Sequence, residues 1–277
     1  MKTTIVLSIS SDIGAALARR RLAQGARVLG TVRTRSEDVS SLEREGATLV
    51  EADFGDDASI AGSCARLREL TGGWDELIVA PGTLEPVGPF VDVDFADWSR
   101  SLDVNLTCQL RAVHVLLPDR RPDALVLFFA GGGTNSAPLR VSAYTLSKIA
   151  LIKMTELLQA ELPETRFCIL GPGWVKTKIH EETLRAGDRA GDAYEATRDR
   201  LDRGDFVPMD DVLDCIDWVA AQPVDVIGGR NFSVAHDPWR DPAYVDWLRG
   251  DPDRARLRRA GNQAFDRAPD QENGSDG

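Results

Sequence analysis

The sequence predicts an α/β protein built on a doubly wound parallel sheet with helices on both faces. Three observations predict it. Short β-branched runs alternate with longer alanine- and leucine-rich runs over the first 235 residues. The short runs are continuously apolar, as strands buried on both faces must be. Each strand–helix unit is also long enough for the right-handed crossover that returns the next strand parallel to the last.

The elements follow in order. Residues 4–7 form the first strand, and 13–24 a helix that Gly25 ends. The second strand spans 27–32 and a short third 49–51; a helix at 60–70 stops at Gly72-Gly73. Residues 76–79 form the fourth strand, followed by Pro81-Gly82. A long helix is expected over 98–117, closed by Pro118, then a fifth strand over 124–129. A second long helix spans 142–162, and the sixth strand, 166–170, ends at Gly171-Pro172-Gly173. The charge-dense stretch 178–203 suits one or two short surface helices; 211–221 reads as a further helix and 230–234 as a last strand. With no linker dividing it, 1–235 is one expected domain. Residues 236–265 form a C-terminal extension packed on it, and the polar 266–277 are expected to be disordered. Trp239 and Trp247 either anchor the extension or stand beside the site mouth.

A formal charge of −11 over 277 residues argues against a nucleic-acid or anionic-membrane surface. The N-terminal apolar burst is too short for a signal peptide, and no run of about 20 apolar residues is present. A cytoplasmic protein is expected. Cys64, Cys108, Cys168 and Cys215 lack metal-site or disulfide spacing, so no metal is expected.

The chemistry-bearing pattern is Tyr144 and Lys148, four apart at the start of a helix and therefore on one face. A phenol near pKa 10 is a poor proton carrier at neutral pH, and an adjacent ammonium stabilises its ionised form. The pair follows the strand end Phe129-Ala130-Gly131-Gly132-Gly133, at the edge where open parallel sheets bind ligands.

Several motifs, in this order, resemble the short-chain dehydrogenase/reductase family with its Rossmann-type fold: Ser8-Ile9-Ser10-Ser11-Asp12-Ile13-Gly14, Asp53, Val79-Ala80-Pro81-Gly82, Asn105, Tyr144-Thr145-Leu146-Ser147-Lys148 and Pro172-Gly173-Trp174-Val175-Lys176-Thr177. The resemblance implies an NAD(P)-dependent oxidoreductase in which Tyr144 is the acid–base. Lys148 would orient the nicotinamide ribose and lower the tyrosine pKa, and Asn105 would hold a relay water. Cofactor contacts would come from Ser8, Ser10, Ser11, Asp12, Ile13, Gly14, Arg33, Asp53, Ala80, Gly82, Lys148, Pro172, Gly173, Val175 and Thr177. Substrate contacts would come from Ala130, Gly131, Gly132, Ser142 and Trp174, under a substrate-binding lid or flap formed by 178–205. Arg33, after Val32 at the end of the second strand, suits a 2′-phosphate and so NADP over NAD. Homodimers or homotetramers through 98–117 and 142–162 are also implied. The tail from Gly228 and the glycine triplet resemble a subgroup of polysaccharide and nucleotide-sugar biosynthesis, which implies a polar, sugar-like substrate.

Three departures qualify this. Ser8 and Asp12 stand where the family has glycines, and Asp12 is expected to cap its helix and repel a diphosphate. Gly131 and Ala130 stand where the family has its substrate-orienting serine, leaving Ser136 or Ser142 as replacements. Val79 and Ala80 lack the amides that brace the family's central strand. The alternative is a protein of the same fold that binds a nucleotide or partner without redox turnover, or uses Tyr144, Lys148 and Asn105 for other chemistry.

Overall fold

The strands of the computed structural model, which describes residues 1–259, are β1 (Thr3–Leu7), β2 (Arg27–Val32), β3 (Thr48–Glu51), β4 (Trp74–Val79), β5 (Arg120–Phe129), β6 (Arg166–Gly171) and β7 (Arg230–Ser233). They form one parallel sheet in the order β3-β2-β1-β4-β5-β6-β7. Strand order reverses between β1 and β4, where Ile5 pairs with Leu29 on one side and Leu77 on the other. This is the switch point at whose carboxyl end an open sheet leaves a crevice. The expectations for 260–277 lie outside the described residues.

Alternate strand residues feed two cores. Ile5, Leu7, Leu77, Val79, Val126 and Phe128 pack against α3 (Asp57–Thr71), α5 (Cys108–Leu116) and α6 (Ser142–Glu161). Val6, Val28, Ile78, Leu127 and Leu170 pack against α1 (Asp12–Ala23) and α9 (Met209–Ala221). Because both faces are covered, the strands read as unbroken apolar runs. Charge enters this interior as well: Arg21 of α1 donates from Nε to Glu76 Oε2 of β4 at 2.7 Å, and both side chains are buried.

The structure corrects two helix expectations. The helix expected over 98–117 is α4 (Phe95–Leu102), a π turn (Asp103–Thr107) and α5, with Pro118 in a short 3₁₀ turn. Its start is set by Asp94, which accepts from the N–H groups of Ala96 and Asp97. A helix not anticipated, α2 (Glu37–Arg44), follows β2 under a Ser36 cap that accepts from Val39 N–H. Among the described side chains of α2, Val39 and Leu42 enter the core, which is why its charge-rich sequence carries little apolar signal.

After β6 come α7 (Ile179–Ala186), a 3₁₀ turn and α8 (Asp192–Arg203), and after α9 the short α10 (Val224–Ile227). Beyond β7, α11 (Ala243–Arg249) contributes Tyr244 and Leu248 to the α1/α9 core. Trp239 is buried there and donates from Nε1 to Val234 O at 3.1 Å, whereas Trp247 stays 49% exposed, stacked on Tyr244. Among the described residues no helix is long and apolar enough to cross a membrane.

Candidate active site

The turn after β1 is drawn tight by its backbone. Ser8 lies in the left-handed region at φ +57°, a conformation that favours glycine, and its N–H donates to Thr31 Oγ1 at 2.8 Å. A side chain at Gly14 would sit 2.8 Å from Ser8 O and 2.7 Å from Ser11 Oγ, so the third glycine position admits nothing larger. Ser10 and Ile13 line the same turn, half-buried. The helix cap is not Asp12. Ser11 caps α1, accepting from Gly14 N–H at 3.1 Å, because Ser11 has the extended backbone a cap needs and Asp12 is already helical. Asp12 instead accepts the Lys178 N–H through Oδ2 at 2.8 Å, reaching the segment before α7.

The other expected cofactor contacts ring the carboxyl edge. Arg33, just past β2, is exposed and forms no ion pair among the described residues, whereas nearby Arg35 is held by Glu43 and Glu51. Asp53 is exposed after β3, with Oδ1 accepting from Gly55 N–H. Ala80 continues the ladder past β4 by donating to Leu7 O, and Gly82 is exposed beyond it. Beyond β6, Pro172 is half-buried and Gly173 takes φ +78°, while Val175 is buried and Thr177 O accepts from His180 N–H. Trp174 stacks on His180 at 3.9 Å between ring centroids.

The centre of the site is on α6. Lys148 is 4% exposed, 5.6 Å from the Tyr144 ring centroid, and without a hydrogen bond or ion pair among the described residues. Burial pushes its ammonium down to about 8. Tyr144 is pushed up to about 12, first by burial and then by the Glu182 carboxylate. This reverses the expected lowering: the ammonium stands over the ring, and lost hydration of the phenolate dominates. A side chain at Gly131 would meet Tyr144 Cε1 at 2.6 Å and its hydroxyl oxygen at 2.7 Å. The phenol thus fills the space a residue at 131 would take. Of the two serines considered as replacements, Ser142 accepts from Trp98 Nε1–H, and Ser136 is exposed on the loop. Ala130 is buried and Gly132 exposed beside Gly131.

Asn105 lies in the π turn, fully buried. Its Oδ1 accepts from Thr83 N–H at 3.0 Å, and its Nδ2 donates to Thr83 O at 2.9 Å and Ser101 O at 3.0 Å. The amide therefore clamps the turn after β4 to the helix that carries Asn105. A Cβ at Gly82 would lie 3.6 Å from Asn105 Oδ1 and 4.0 Å from Lys148 Nζ, so the clamp and the lysine converge.

Sequence reasoning missed Thr83 and Glu182. Glu182 of α7 accepts from Thr83 Oγ1–H, Leu84 N–H and Glu85 N–H. Beside Glu181 it reads as one more surface charge, and no local signal marks it.

A family model described as short chain dehydrogenase matches residues 2–187. Among curated proteins the chain is 28% identical over 195 residues to Oxidoreductase UcpA of Salmonella typhimurium, covering 66% of this chain and 73% of that one. It is 29% identical over 230 residues to serine 3-dehydrogenase of Rhizobium radiobacter, covering 80% and 88%. The solved KRED1-Pglu enzyme superposes with a TM-score of 0.76 at 24% identity, over 83% of this chain and all of that one, which speaks to the fold. With a matched span that runs from β1 through α6 into α7, the chain belongs to the short chain dehydrogenase family of NAD(P)-dependent oxidoreductases.

Proposed function

We propose that this protein reduces a carbonyl to an alcohol on a polar, sugar-like or natural-product substrate, with NADP preferred over NAD. The observation that carries the proposal is the buried, unpartnered Lys148 one helical turn from Tyr144, at the carboxyl edge of the sheet. An ammonium left without hydrogen bonds in such a place is costly, and ribose hydroxyls would satisfy it. The turn after β1 fits a dinucleotide as well. Ser8 holds a glycine-like backbone, and Gly14 leaves room for close approach. Exposed Arg33, free of ion pairs among the described residues, supports the 2′-phosphate preference. The likeness to a protein named serine 3-dehydrogenase supports a small polar alcohol or ketone.

In this reading the turn from Ser8 to Gly14 cradles the diphosphate, Arg33 meets the 2′-phosphate, and Asp53 meets the adenine. Ala80, Gly82, Pro172, Gly173, Val175 and Thr177 border the nicotinamide half, and Trp174 and Gly132 border the substrate. When bound, the nicotinamide supplies the hydride. Tyr144 donates its hydroxyl proton to the carbonyl oxygen as that oxygen becomes an alcohol. A phenol held up near 12 is protonated at neutral pH, the state that donation to a carbonyl oxygen requires. The Lys148 ammonium stabilises the phenolate left behind. Asn105 fixes the turn that walls the site. With Gly131 in the serine position, the Tyr144 hydroxyl is also the group that holds the carbonyl.

The test is NADPH-dependent reduction of a panel of polar ketones. Tyr144→Phe should lower kcat by at least about 100-fold, the usual contribution of a positioned general acid, and leave NADPH binding intact. Undiminished turnover by Tyr144→Phe would sink the assignment.

A further inference from the structure

Glu182 Oε2 takes three donors from one short turn: Thr83 Oγ1–H at 2.9 Å, Leu84 N–H at 2.6 Å and Glu85 N–H at 3.3 Å. Main-chain N–H groups of consecutive residues, joined by a hydroxyl, make a small concave receptor for an anion. The receptor is held rigid from beneath, since Asn105 binds Thr83 through both its N–H and its C=O. α7 is thereby joined, through one residue, to the side chain that converges with Lys148 at Gly82.

A hydrophobic seam runs along the same line, with Val87, Ala186 and Ala190 buried against Leu84, Val141 and Tyr194. The segment is also held elsewhere, two of its contacts being polar and remote in sequence. Asp12 accepts from Lys178 N–H at 2.8 Å, and Arg140 Nη1 donates to Arg189 O at 3.0 Å. Of these three attachments, the one at Glu182 meets the Asn105 clamp and carries a negative charge toward Tyr144.

We infer that Glu182 is a positioning residue of this site: its carboxylate seats α7 in the Thr83–Glu85 turn, so that the flap, the Asn105 clamp and the Tyr144–Lys148 pair close as one unit. The inference rests on the reading of Tyr144 and Lys148 as the reacting pair. Closure then has two effects. It covers the site, and it brings a fixed negative charge that disfavours the phenolate and so keeps Tyr144 protonated in the closed state. Among the described residues, the charged groups that face Tyr144 are Lys148 from its own helix and Glu182 from α7; the loop after β5 brings Gly131, which has none.

The experiment uses the full chain and needs no turnover. Wild type, Glu182→Ala and Glu182→Gln are digested with trypsin, which can cut the flap at Lys178, Arg185 and Arg189. Their tyrosine ionisation is followed by ultraviolet phenolate absorbance, with Tyr144→Phe to isolate the Tyr144 signal. Removing a charge-assisted acceptor of three donors should speed cleavage within the flap roughly tenfold or more in Glu182→Ala. Glu182→Gln keeps a carbonyl oxygen for the turn and should recover part of the resistance. In both variants the Tyr144 phenolate should appear at lower pH than in wild type. Cleavage of the Glu182→Ala flap at the wild-type rate would overturn the seating role, and unchanged phenolate titration in both variants would overturn the link to Tyr144. Failure of the ketone assay alone would count against the proposed reaction and leave both readouts standing.

Discussion

Lys148 is a positive charge carried into a buried place with no hydrogen bond or ion pair among the described residues. Its ordinary value of 10.5 falls to about 8 by burial. Between those two values the unfolded chain still holds the proton and the folded chain has released it. Stability attributable to this residue therefore rises with pH across that window, and below about 8 the folded state bears the full cost of the buried ammonium. Lys148→Met keeps the stem and removes the charge. It should be more stable than wild type at pH 7 by up to about 3 kcal/mol, with the gap closing towards pH 10. Urea denaturation at both pH values checks this, and a gap independent of pH would contradict it. Tyr144 acts in the opposite sense and at higher pH, since its value rises from 10 to about 12 and the folded state keeps a proton the unfolded chain gives up. The two groups together place a protonated phenol beside a readily neutralised amine, an arrangement that suits the proposed reaction and costs stability. At the same scale, Asp12 was legible as an acid in a glycine position, but its partner was not. The Lys178 N–H it binds lies 166 residues away.

At the scale of elements, the break between α4 and α5 is the feature with most consequence for the site. Asn105 needs both polar ends of its amide at Thr83 and also donates to Ser101 O, one turn back. The helix accommodates this with a π turn, a device that recurs at functional sites. Periodicity alone reads the region as continuous, since a π turn adds one residue without interrupting the apolar pattern. The start of α4 with the loop before it, and α6, present apolar surface outward. Phe90, Val91 and Phe95 are exposed around Trp98, and Leu146 and Leu157 are half-exposed on α6. We propose that these helices pair with their copies in a second subunit, where such a patch would be covered. Light scattering should give about twice 30.2 kDa or more at micromolar concentration, and Leu146→Glu should shift it towards the monomer. A wild-type protein of 30.2 kDa under those conditions would refute the pairing.

For the whole molecule, the legible part of the fold was the part in which each strand is buried on both faces. Runs such as Ile5-Val6-Leu7 and Leu125-Val126-Leu127-Phe128 admit few other readings, and their order places the motifs at one edge of the sheet. α2 was hidden because two residues anchor it. The Tyr144–Lys148 pair was legible from its spacing, whereas its closeness to Gly131 is a property of three-dimensional packing. Glu182 was hidden because its partner Thr83 lies 99 residues away. What the whole assembly is for turns on whether the crevice at the β1/β4 switch point takes a reduced nicotinamide dinucleotide. The decisive measurement is a titration of the purified protein against NADPH and NADH, followed by reduced-nicotinamide fluorescence, in wild type and Arg33→Ala. The account predicts saturable binding of NADPH, tighter than that of NADH, with Arg33→Ala losing about 1.5–3 kcal/mol towards NADPH and much less towards NADH. Saturable binding of neither form would contradict it.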